Sequence, residues 1–163
     1  MRRAAALAVL ALAGLLAALG SHLFRARPSD EEQVRQVFLD AARAAEEGRV
    51  GDALAAVSER FQGEGLDRQG VKQLLAWHAI AGDLGAVAVL GTAVRLSGEA
   101  AEATVDVAFV RGVRGARANL GALSDASAQR VEAVLAREGG AWRVVSARWR
   151  PIGAADAIAG PPP

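Results

Sequence analysis

The chain has 163 residues, 52% of them hydrophobic and 23% charged, with a formal net charge of +1. That length accommodates one ordinary domain, and the hydrophobic share excludes a mainly disordered chain. With no cysteine in the sequence a disulfide scaffold, a thiol enzyme and a zinc ribbon are excluded, and the near-zero charge supplies no basic field for nucleic acid.

Met1-Arg2-Arg3 precedes an uncharged apolar run from Ala4 to Leu19, and no full charge appears before Arg25. As a helix rising roughly 1.5 Å per residue, Ala4 to Phe24 would reach about 31 Å, close to one bilayer core. Two cations ahead of such a run are an export signal, with the basic end staying cytoplasmic. Two outcomes stand open. Small residues at Ala18-Leu19-Gly20 suit cleavage before Ser21, whereas Leu23-Phe24-Arg25-Ala26-Arg27 forms the aromatic and basic edge of an uncleaved anchor. A buried soluble helix fits less well, because the run has no polar face. Residues 1–27 are thus expected to be a signal-anchor or signal peptide, residues 28–151 the domain, and residues 152–163 a disordered proline-rich tail.

In the domain, Ser29 and Glu32 have capping-box spacing, and Val34, Val37, Phe38, Ala41 and Ala45 form a helical stripe up to Gly48. Arg49 to Ser58 reads as a short second helix and Glu59 to Gly65 as a turn or very short strand. Leu66-Asp67 opens a third helix, with Val71, Leu74, Leu75 and His78 along one face and an end at Ala81 to Gly85. The period then changes. Ala86 to Leu96 is rich in β-branched residues, and Ala101 to Arg111 alternates, placing Ala103, Val105, Val107 and Phe109 opposite Glu102, Thr104 and Asp106. Gly112 to Ala128 has no consistent period and reads as a long loop or an imperfect extra turn. Gln129 to Arg137, a Gly139-Gly140 turn and Ala141 to Arg150 form a closing hairpin that Pro151 ends.

Helices followed by hairpin-linked strands indicate an α+β domain with an antiparallel sheet. The charged first helix with its DALAAVSERF continuation, GLDRQGVKQLL, the SGEAAEATVDVAF hairpin and the terminal EGGAWRVVSARW resemble the NTF2-like superfamily, which includes SnoaL-type and ketosteroid-isomerase-type proteins. This resemblance runs from Asp30 to Trp149. It implies a curved sheet wrapped on helices around a conical cavity, preceded here by a hydrophobic N-terminal helix. With such a leader it implies a bacterial inner-membrane or periplasmic protein, and a homodimer through the outer sheet face is common in the fold. The fold by itself assigns no activity.

Enzymes of this fold place an Asp or Glu, often beside His, Tyr, Arg or Asn, inside the cone. The sequence has no tyrosine, and His22 belongs to the leader, so His78 is the one imidazole of the domain. His78 and Asp40 are the weak catalytic candidates, although Asp40 falls off the apolar stripe of its helix. No metal or cofactor is expected. Asp106 belongs to the polar sheet face, where exposed cross-strand pairs with Arg95, Arg130, Glu132 and Arg143 are expected. Trp77, Trp142, Trp149, Phe38, Phe61 and Phe109 are expected to fill the core; alternatively Phe38, Trp77, His78 and Trp149 line a cavity for a small apolar ligand. Arg111, Arg114 and Arg117 read as a solvated loop rather than an anionic-lipid site. The functional expectation is a non-catalytic envelope binding or assembly module, meeting the membrane through its N-terminal segment and an envelope partner through the domain. The alternative is a small-molecule isomerase- or hydrolase-type enzyme using His78 with a carboxylate.

Overall fold

The computed structural model describes residues 28–81, 86–110 and 127–162. The expected N-terminal span and most of the Gly112 to Ala128 loop, with Arg111, Arg114 and Arg117, lie outside the described residues. Among the described residues no helix is long and apolar enough to cross a membrane.

Helix α1 covers Asp30–Glu46, and Ser29 caps it by accepting from the Glu32 N–H at 3.2 Å. Asp30, Glu31 and Glu32 place negative charge at its positive end. Helix α2, Val50–Ala55, is shorter than the sequence suggests because Val57 and Ser58 already belong to a strand. That strand, β1 (Val57–Gly63), is the strand alternative expected from Glu59 onward, begun two residues earlier, and its Phe61 enters the core. Leu66–Asp67 forms a two-residue strand β2 on β1 rather than the first turn of a helix. Asp67 still acts as a helix cap: its carboxylate accepts from the Gly70 N–H at 2.7 Å, at the start of α3 (Arg68–Ala81).

Strands β3 (Ala86–Ser97), β4 (Ala100–Val110), β5 (Ser127–Glu138) and β6 (Ala141–Ile152) complete a six-stranded sheet in the order β2-β1-β6-β5-β4-β3. Every pairing is antiparallel except that of β1 with β6, which is parallel because distant parts of the chain meet there. Ser127 and Ala128, expected in the loop, begin β5. Pro151 does not end β6; it sits opposite Gln129 inside the strand. The tolerance has a simple cause, since β1 pairs with β6 near Val144 and Ser146, and among the described residues the other side of Pro151 has no ladder partner. Register shifts at Val89/Gly91 and Val134/Leu135 bend the sheet over α1.

The core lies between α1 and the inner sheet face: Val34, Phe61, Val105, Leu135, Trp142 and Val144 are buried together. Parallel pairing of β1 and β6 needs Gly63, because a Cβ there would overlap the Ala147 carbonyl oxygen. Gly63→Ala is expected to cost about 1–3 kcal/mol by overpacking, measured by urea unfolding. Unchanged stability would show that β1 yields freely.

The two ends of the molecule differ. At one, Asp30 at the start of α1 pairs with Arg137, the Arg137 N–H donates to the Glu99 carbonyl at 3.0 Å, and Arg137 stacks 4.7 Å from the Trp142 ring centre. At the other, Glu46 at the end of α1 accepts from the Val87 N–H at 2.6 Å, and Val87 faces Phe109 across the β3–β4 ladder.

The tail corrects the sequence expectation of disorder. Ala154–Ala159 forms a short helix, α4, and Gly160 to Pro162 lies against the sheet.

Candidate functional site

Alternation along the strands divides the sheet into two chemically distinct faces. On the inner face, Val105, Val131 and Trp149 share one register row and Val107 and Phe109 follow along β4. Phe38 on α1 packs against the same core, as do Val107 and Val131. Toward the Val87 end this surface opens: Phe109 is 36% and Trp149 40% exposed, whereas Leu135 and Trp142, toward the other end, are buried. Phe109 and Trp149 are thus part-exposed on the same sheet face that buries Leu135 and Trp142.

The six aromatics thus do not all fill the core. Phe61 and Trp142 do, Phe38 is half-buried, and Trp77 is 61% exposed. Trp77 lies on α3 with its ring edge-on to His78 at 4.8 Å between centroids. His78 is half-buried. Asp40 is exposed, accepting from the Gln36 side chain at 2.8 Å and facing Arg43 at 3.8 Å. It lines a shallow groove of about 550 Å³ with Glu32, Gln33 and Trp142, beside α1. Among the described residues no three His, Asp or Glu side chains converge as metal ligands.

The outer face holds what the sequence does not disclose. Asp106 and Arg130 are register partners, as alternation predicts, but they are buried rather than solvated. Arg130 Nε donates to Asp106 Oδ1 at 2.7 Å and Nη2 to Oδ2 at 2.8 Å, a two-pronged contact. Hydrogen bonding to Asp106, opposed in part by burial, raises the Arg130 guanidinium above its ordinary range. The neighbouring pair Arg148–Glu132, at 3.0 Å, is exposed. Arg143 does not join these pairs; it donates to the Ala55 carbonyl at 2.8 Å. Elsewhere, hydrogen bonds from Arg60 and then from Ser58 hold the Glu138 carboxyl below the ordinary carboxylate range. The signal for the buried pair was in the tail: AADAIA followed by Gly-Pro is a helix with its stop.

No protein-family model matches the sequence, and no curated protein matches it. Solved structures do. An NTF2-like protein with a cystatin-like fold from Novosphingobium aromaticivorans superposes with a TM-score of 0.60 at 18% identity, over 91% of this chain and 92% of that one. An NTF2-like protein of unknown function from Pseudomonas putida KT2440 gives 0.58 at 15% identity, over 76% and 87%. A candidate scytalone dehydratase from Novosphingobium aromaticivorans gives 0.57 at 10% identity, over 74% and 82%. With helices packed on a curved, unclosed six-stranded sheet, the chain has the NTF2-like, cystatin-like cone fold.

Proposed function

We propose that this is a non-catalytic binding module of the bacterial envelope, held at the inner membrane or exported by its N-terminal segment, which takes a small apolar ligand at the mouth of the cone. The reading is carried by the composition of the inner face: Phe38, Val107 and Val131 pack on the core, and Phe109 and Trp149, on the same sheet face, are part-exposed. Such a surface binds by area and shape rather than by proton transfer. The buried charges Asp106 and Arg130 belong to the opposite face and satisfy each other.

The test is tryptophan-fluorescence titration of the domain from Pro28 onward, its fold verified by circular dichroism, with 1-naphthol as an uncharged aromatic probe. Saturable binding at one site per chain is expected, weakened about tenfold or more by Trp149→Ala, equivalent to about 1.4 kcal/mol. Binding indifferent to Trp149 would sink the assignment.

A second reading draws on the candidate scytalone dehydratase among the similar structures. It is a small-molecule isomerase- or hydrolase-type enzyme using His78 with a carboxylate. It requires turnover of a small ketone or ester substrate that disappears in His78→Ala, with naphthol binding retained.

A further inference from the structure

The C-terminal segment leaves β6 at Ile152, forms α4 and returns across the outer face of the sheet. Gly160 has φ 79 and ψ 174, a conformation nearly reserved for glycine. Its carbonyl accepts from Arg130 Nη2 at 3.0 Å, the same nitrogen that holds Asp106 Oδ2. The next residue is seated by a missing side chain, since a Cβ on Gly91 would stand 2.7 Å from Pro161 Cδ. Pro162 then reaches the rim of an outer-face groove of about 670 Å³ that Arg95, Glu102, Arg148 and Arg150 also line. Gly91, Asp106, Arg130 and Arg150 occupy one row across β3, β4, β5 and β6, so the seat, the ion pair and the groove are contiguous.

Among the described residues little else holds this segment. Helix α4 has six residues and none of them is buried; Ile158 is 78% exposed. So short a helix does not persist on its own propensity. An ion pair buried in a sheet is in general no better for stability than apolar side chains of equal volume. Here it does something apolar side chains cannot: it points an N–H at a backbone carbonyl of the tail.

We propose that Asp106–Arg130 is a latch and that residues 153–162 are a strap it holds over the outer sheet face. The device has two positions. In the closed one, Gly160 is bound to Arg130 and Pro161 covers Gly91. In the open one, that hydrogen bond is broken and the groove extends along the row from Arg150 to Gly91. The strap occupies part of the face through which a homodimer would form, so its position also governs that surface.

Hydrogen exchange read by mass spectrometry on the full-length chain in detergent tests this. In the closed strap the Ala157 and Gly160 amides bond to the Gly153 and Asp156 carbonyls. They are expected to exchange at least tenfold more slowly than in a free peptide of residues 150–163. Gly91→Val leaves both charges in place and displaces Pro161; the paired replacement Asp106→Leu with Arg130→Met removes the latch without stranding a charge. Each is expected to bring strap exchange within twofold of the free peptide while the β4 and β5 amides stay protected. Should the paired replacement not fold, Gly160→Ala, which disfavours the carbonyl's orientation, is read in the same way. Strap protection that survives these changes, or that is absent from the unaltered protein, overturns the latch.

Discussion

Arg130→Ala is expected to lower stability by about 3–5 kcal/mol, the usual consequence of leaving one half of a buried ion pair behind. Asp106 has no exposed surface, and among the described residues both of its carboxylate oxygens are satisfied by Arg130. Without the guanidinium, the Asp106 carboxylate is left in a poorly solvated site without its partner, or draws water in by disrupting β4. Asp106→Ala fails for the mirror-image reason. The paired change to Leu and Met is expected to cost much less than either single change, because no charge is stranded. Urea unfolding of the three variants gives the comparison. A loss below about 1 kcal/mol for Arg130→Ala would mean that the pair behaves like an exposed one.

The second large effect belongs to the base of the cone. Leu135 is wholly buried, faces Val144 across the β5–β6 ladder and belongs to the cluster around Val34 and Trp142. Leu135→Ala is expected to cost about 2–5 kcal/mol, from lost burial and the cavity left between sheet and α1. Trp149→Ala, on the same face but 40% exposed, is expected to cost well under half of that despite removing a larger side chain. Thermal unfolding of the two variants distinguishes a packed base from an open mouth. Equal losses would show that Trp149 is a core residue and that the apolar surface there is structural.

The contrast between these residues also explains what was legible in the sequence. Alternation alone assigned Val105, Val107 and Phe109 to one face and Glu102, Thr104 and Asp106 to the other, and the structure has that arrangement. Periodicity reports the side of a strand but not what covers it. Asp106 was on the correct face with the wrong environment, because its partner Arg130 and its row neighbour Gly91 are met by Gly160 and Pro161, far along the chain. The same limit applies to β1. Ser58 and Phe61 are buried, but the charged residues between them hide a strand whose partner is β6. Trp77 erred in the other direction, since size suggested burial that α3 does not provide. Local caps were readable because they need only local residues: Ser29 and Asp67 act where their spacing put them.

The opposed ends of α1 have a geometric consequence. Its first turn lies beside Arg137 and the tight turns of the sheet, whereas its last turn lies beside Val87 and the aromatic opening. The axis between them is about 25 Å for a helix of 17 residues. On the reading that the residues ahead of Pro28 enter a bilayer, the end of the domain bearing Arg137 faces the membrane and the end bearing Val87 and Phe109 faces the aqueous compartment. Cargo would then arrive from solution or from a facing protein rather than by lateral diffusion out of the lipid.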